Sequence, residues 1–329
     1  MGKSTTNDMT VGSPVKLIIQ FMIPMCLGNI FQQFYNIADS IIAGQFIGVN
    51  ALAAIGSTGS LMFFVTGWLN GLTSGFAILV SQLFGAKKYD EMRHYVAMSI
   101  YLTAAFTIAM TVGFEIANAP ILRMMNTPDE VIGDVIKYMA IIYAGLIVTA
   151  AYNALSSFLR ALGDSKSPLY FLIISALLNI VLDIVFIVCF GMGVEGCAYA
   201  TVIAQGISAL LCLVYIKKKM PLLHLEKKNF TVSVNSFKRL LALGIPMGLQ
   251  FSITAIGTII VQGAVNVYGA VHMAGFSAAG KLQNIVTTIF VAFGATAATF
   301  VGQNRGAGKM DRVKAGVKST QLMILGWSV

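Results

Sequence analysis

Apolar runs of membrane length recur along this chain, separated by short clusters of charge. The charge-poor stretches predict helices near 15–47, 51–83, 95–118, 132–158, 168–190, 194–216, 237–268 and 274–301, with a ninth beginning near 311. A hydrocarbon core about 30 Å thick takes roughly 20 apolar residues of helix, and every full run meets that length. The runs leave no room for a soluble domain, so the expected fold class is an all-α polytopic membrane protein. The first fourteen residues are polar, with neither a short apolar region nor a small-residue cleavage site, so the first run reads as a permanent span.

Composition agrees: 57% hydrophobic residues against 11% charged, with a mean hydropathy of +0.80, is too little polar surface to clothe a soluble globule. The net charge of +9 by itself suggests nucleic acid. Its distribution argues against that partner, because the charge sits in alternate loops. Placing the N-terminus in the cytoplasm puts all but Arg123, Lys137 and Lys281 of the 22 lysines and arginines on that side. This is the positive-inside pattern of a multi-pass protein of the bacterial inner membrane. The four cysteines, Cys26, Cys189, Cys197 and Cys212, lack metal-ligand spacing and read as small core residues. Cys189 and Cys197 flank one outer loop, which leaves a disulfide there open. His94, His224 and His272 read as isolated loop residues, and the Asn229-Phe230-Thr231 sequon falls in a cytoplasmic loop where glycosylation is not expected.

The chain repeats itself after about 221 residues. Ile23-Pro24-Met25 recurs as Ile245-Pro246-Met247, and Gln82, Gly85, Ala86 and Lys88 recur as Gln303, Gly306, Ala307 and Lys309. Both copies begin on the same side, which predicts a parallel repeat about an axis along the membrane normal, with six helices per half. The expected organisation is an N-terminal six-helix lobe at 1–216, a basic cytoplasmic linker at 217–236, and the start of a second lobe at 237–329. That is about eight full spans plus part of a ninth. A complete protein is expected to run to roughly twice the repeat length, as a monomer.

Two carboxylates, Asp39 and Asp183, lie well inside predicted spans. A charge at mid-bilayer costs on the order of 2.5 to 3.5 kcal/mol even on the mild insertion scale, which marks both as functional candidates. Counting back from the outer-end glycines Gly48 and Gly191 puts both roughly 12 to 14 Å below the outer surface. Thr201 reaches the same level on the next helix, and Tyr138 arrives slightly above it. Asn179 is one turn from Asp183 and faces the same way. Such an oxygen-rich site could bind a proton shared by the acids, or a small hard cation held by Asp39, Asn179, Asp183 and Thr201. The bland alternative is that each acid bonds a neighbouring helix as structural glue. Gln32, Tyr35 and Asn36 form a polar stripe leading to Asp39 and, with Asn153, could line a substrate path. Pro24 removes a backbone hydrogen bond within the same helix and permits a hinge there. The second half lacks these acids, since the repeat partners of Asp39 are Ile260 and Val261. Its seventh helix offers Gln250, Ser252, Thr254, Thr258 and Gln262 instead. Lys281 is expected to snorkel to the outer interface. No nucleophile, metal cluster or phosphate loop emerges, so the chain is not read as an enzyme and no cofactor is expected beyond the coupling ion.

These residues resemble the multidrug and toxic compound extrusion (MATE) family. The likeness rests on Pro24 with Gln32, Tyr35 and Asp39, on the Ile121–Pro128 and Arg160–Pro168 segments, on Leu178–Asp183, and on Gly193–Thr201. The resemblance implies two six-helix lobes around a V-shaped cleft, alternating access, and export of bulky, amphipathic, often cationic drugs in exchange for H⁺ or Na⁺. It also implies that Asp39, Asn179, Asp183, Thr201 and Tyr138 form the cation site of the first lobe. Many family members carry an acid in the seventh helix; this chain does not. The related lipid-linked oligosaccharide flippases share the architecture, and a non-transporting fragment is the remaining alternative.

Overall fold

The computed structural model describes residues 7–125, 127–266 and 270–328, apart from the side chains at 49–50, 52–53, 57, 259, 262–263, 266, 270–278, 281–282 and 284–285. The described residues form α1 (Pro14–Phe46), α2 (Val49–Gly85), α3 (Tyr89–Met124), α4 (Asp129–Ala144), α5 (Leu146–Ala161), α6 (Lys166–Ile184), α7 (Val194–Lys219), α8 (Val234–Asn266), α9 (Ala270–Gly306) and α10 (Met310–Ser328). Among the described residues there is no strand. Lipid offers no partner to backbone N–H and C=O groups, so spans that satisfy them internally are the expected solution.

Seven of the helices are long and apolar enough to cross a membrane, and eight spans result when α4 and α5 count as one bent crossing. The chain is thus a multi-pass membrane protein. Its outward faces carry apolar side chains, with Ile116 77% and Phe34 63% exposed, the reverse of a water-soluble surface. The helices overrun the predicted spans. At 37 residues, α2 and α9 extend about 55 Å at 1.5 Å per residue, so their polar ends stand clear of the hydrocarbon.

The fourth span differs from expectation. Rather than one helix over 132–158, it is α4 and α5 meeting at Gly145 with a bend of 47°. A Cβ at Gly145 would run into both methyls of Val202 on α7, so the missing side chain is what lets the bend pack against α7.

α2 is the spine. It packs on α3, α4 and α5 from the first half of the chain and on α8 and α9 from the second. The contact with α8 is backbone on backbone. A Cβ at Gly71 would collide with the Met247 carbonyl, and one at Gly75 would lie 2.6 Å from the Gly244 Cα, while a Cβ at Gly248 would press on the Trp68 ring. Gly71 with Gly75, and Gly244 with Gly248, are small-xxx-small pairs that bring two membrane helices to van der Waals range. Nearer the end that carries the N-terminus, Gly85 abuts the Gln303 backbone and Gly306 abuts the Gln82 backbone. These four positions are related by the repeat, so the contact is reciprocal, as a local two-fold requires.

Other expectations need correction. His94 is not a loop residue; it lies in the first turns of α3, with Nδ1 3.1 Å from the Asn229 carbonyl and Nε2 3.0 Å from Ser236 Oγ. Asn229 is buried, and its Oδ1 accepts from the Glu226 N–H at 2.7 Å. His272 lies within α9. Its side chain, with those of Lys281 and Gln262, falls outside the described residues. In α8, the Thr254 and Thr258 hydroxyls bond carbonyls of their own helix, and Ile260 and Val261 are exposed.

The glycine contacts make a prediction. Gly85→Ala should lower stability by about 1–3 kcal/mol through overpacking, read as a lower melting temperature in detergent. Gly113→Ala, where a Cβ meets nothing within 4 Å, should leave melting unchanged or raise it.

Candidate functional site

Three helices each bring a pair of residues one turn apart to the same place. α1 supplies Tyr35 and Asp39, α6 supplies Asn179 and Asp183, and α7 supplies Cys197 and Thr201. Spacing i, i+4 puts both members of each pair on one face. The Tyr35 hydroxyl donates to Thr201 Oγ1 at 3.0 Å, joining α1 to α7. A carboxylate oxygen of Asp39, one of Asp183 and the Cys197 thiol all lie within 4.8 Å of one another. Tyr138 enters from α4 and shares the electrostatic surroundings of Asp39, Tyr35, Cys197 and Asp183.

The cluster is dry. Asp183 and Asn179 are wholly buried, Asp39 is 6% exposed and Tyr138 4%. Among the described residues no donor reaches Asp39 Oδ1 or either oxygen of Asp183, and both polar atoms of the Asn179 amide are unpartnered. Two ionised carboxylates side by side in an apolar interior, without donors, would carry a large desolvation penalty and repel each other. A proton shared between them, or a cation between them, removes that cost. The donor set of two carboxylates, an amide and a hydroxyl fits a small hard cation as well as a proton.

All five residues proposed from depth therefore lie in or beside one cluster. Two residues add to the sequence reading. Tyr35, read with Gln32, Asn36 and Asp39 as a polar stripe, also joins this cluster through its bond to Thr201. Cys197, read as a core residue, points its thiol at the acids; its spacing of four from Thr201 was the available signal. No disulfide links it to Cys189: all four cysteines are free, with Cys189 exposed and Cys197 buried. A five-residue π-helical segment, Val185–Cys189, begins two residues after Asp183, a distortion frequent beside functional sites.

The remaining candidates are spread out. Gln32 and Asn36 are exposed, and Asn153 lies on α5, half-buried, with its carbonyl accepting from Ser156. Gln205, one turn beyond Thr201, has a buried amide oxygen without a partner. Tyr35 also borders an apolar groove of about 360 Å³ between α1 and α6, walled by Phe34, Ile41, Leu177 and Ile180. α1 runs unbroken through Pro24, which is buried.

A helical membrane protein with an ionisable cluster buried between spans is built as a transporter is. The chain belongs to the MatE family, whose model matches residues 24–185 and 246–329. It is 32% identical over 312 residues to the probable multidrug resistance protein YpnP of Bacillus subtilis, covering 93% of this chain and 68% of that one. It is 31% identical to YoeA of the same organism, also named a probable multidrug resistance protein, covering 89% and 65%. The chain thus spans about two thirds of the length of these curated relatives. Among solved structures it resembles a MOP superfamily transporter from Pyrococcus furiosus, with a TM-score of 0.90 at 23% identity over 97% of this chain and 71% of that one. It also resembles a MATE in a straight conformation, with a TM-score of 0.90 at 22% identity over 99% and 73%.

The geometry predicts unequal thiols. Maleimide should modify Cys189 at least about tenfold faster than Cys197, as expected when one thiol is exposed and the other buried. Mass spectrometry of the partly labelled protein measures this. Tyr35→Phe should cost about 1 kcal/mol of stability through the lost bond to Thr201.

Proposed function

We propose that this chain is the coupling half, with part of the second half, of a secondary active multidrug efflux antiporter. It exchanges cytoplasmic drugs, amphipathic and often cationic, for H⁺ or Na⁺ by alternating access. The observation that carries the reading is the donor-starved pair Asp39 and Asp183, buried at one level between α1 and α6. A site that must be neutralised by a cation, and that joins helices through Tyr35 and Thr201, links ion occupancy to helix position. Asp39, Asn179, Asp183, Thr201 and Tyr138 form the coupling site, with Na⁺, where it is the ion, held by the first four. Gln32, Tyr35, Asn36 and Asn153 contact the polar part of the substrate, and the groove between α1 and α6 suits its apolar body. Pro24 is the hinge through which α1 changes shape. The lobes run 1–216 and 237–329 across the linker at 217–236. The N-terminus is cytoplasmic and the membrane is the bacterial inner membrane.

The lipid-linked oligosaccharide flippase reading requires cationic residues in the cleft for a pyrophosphate, and the described spans supply none beside the acid cluster. A fragment that does not transport is the other alternative.

Dye efflux from vesicles under an imposed H⁺ or Na⁺ gradient tests the proposal, with the chain extended to the length of its relatives. Asp39→Asn and Asp183→Asn should each lower gradient-driven efflux at least about tenfold, the scale of a lost coupling interaction. Undiminished efflux in both variants would sink the assignment. Failure of the parent to move any dye would favour the flippase or the non-transporting fragment.

A further inference from the structure

The segment before α1 and the segment before α8 each cross to the other half of the chain. Residues 7–13 leave α1 and lie over the start of α10. Met9 N–H donates to Gln303 Oε1 at 2.9 Å, and the Met9 carbonyl accepts from Asn304 Nδ2 and Arg312 Nη2, both at 3.1 Å. Arg312 Nη1 reaches the Gly12 carbonyl at 2.8 Å, and Lys309 Nζ the Thr10 carbonyl at 2.9 Å. Arg312 is itself oriented by Nε donating to Asn304 Oδ1 at 2.9 Å and by stacking 5.8 Å above the Phe300 ring. The Met9 side chain is wholly buried in a cluster with Leu17, Ile18 and Phe21 of α1 and Phe300 of α9. The first half completes the tie: Asn7 N–H donates to the Leu162 carbonyl at 3.2 Å, and Gln303 Nε2 to the Ala161 carbonyl at 2.9 Å.

The linker before α8 makes the reciprocal crossing onto the start of α3, the repeat counterpart of α10. Arg93 Nε donates to the Leu222 carbonyl at 3.2 Å, His94 pairs with the Asn229 carbonyl and Ser236 Oγ, and Arg239 Nη1 donates to the Tyr95 hydroxyl at 3.2 Å. Phe230 meets the Tyr101 ring edge-on at 5.9 Å. Within the linker Lys228 Nζ lies 2.8 Å from Glu226 Oε2 and lowers that carboxyl from its ordinary value.

We propose that these two crossed segments are paired clasps that hold the two halves together at the end carrying the N-terminus, so that parting there requires both to release. Arg312 is the positioning residue of the first clasp and His94 with Arg239 those of the second. The clasps read mainly onto carbonyls and hydroxyls; the one opposite-charge contact across them among the described residues, Lys228 Nζ at 4.0 Å from Asp90 Oδ1, is exposed. The bonds are thus specific in geometry and can be broken without stranding a buried ion. The buried Met9 side chain supplies the apolar contact that must also be given up.

Spin labels at Lys88→Cys and Lys314→Cys, on exposed sites of the two halves, report the separation at this end by pulsed dipolar spectroscopy in lipid nanodiscs. The background carries Cys26→Ala and Cys189→Ser and keeps the two buried thiols. The parent should show one predominant short distance. Removing residues 1–12, which leaves α1 whole, or introducing Arg312→Ala should raise the long-distance population at least about fivefold, the low end of coupling between sites. Arg239→Ala should do the same through the second clasp. An unchanged distance distribution in the truncated chain and in Arg239→Ala would overturn the proposal, including where melting temperature falls.

Discussion

The closeness of α2 to α8 is the constraint on which the rest depends. Lipid provides no hydrophobic drive to bring two apolar helices together, so the contact must come from packing. Glycines at 71, 75, 244 and 248 remove the side chains that would hold the backbones apart. With that seam set, α2 becomes the shared wall of both halves, and the ends of α2 and α9 meet reciprocally through Gly85 and Gly306. The crossed segments then have something fixed to fasten across. Without the seam, Met9 and Gln303 would have no reason to be within reach of each other.

The acid cluster depends on a second regularity. Each of α1, α6 and α7 contributes two residues one turn apart, and each pair would be unremarkable alone. Placed against one another, they concentrate two carboxyls, an amide, a thiol and hydroxyls in a buried volume. The bend at Gly145 contributes, because it lets α4 bring Tyr138 to this level while α5 carries on toward the other end. Asp39 and Asp183 therefore sit where side chains from four helices meet.

Much of this was legible in the chain. Span number and order follow from apolar runs that lipid enforces, and the acids declared themselves by their cost at mid-bilayer. Depth counting along rigid helices brought Thr201 and Tyr138 to the right neighbourhood. What escaped depends on contacts between helices. Gly145 looked like any other glycine, because its role is set by Val202 on a distant segment. Cys197 looked like filler, since a thiol is apolar enough to be buried without comment. Tyr35 was placed on a stripe because periodicity gives a face but not the partner it meets. The crossed segments were invisible, because most of their bonds run to main-chain carbonyls that every sequence possesses.

Cys197 also bears on how the protein can be handled. Replacing every native cysteine is ordinarily a neutral first step toward site-directed labelling. Here it would take a sulfur atom out of the acid cluster and leave either a void or a new hydroxyl beside two carboxyls. A cysteine-free version would thus be a variant of the acid cluster in its own right, and should be compared with the native chain before anything measured on it is taken as the behaviour of the parent.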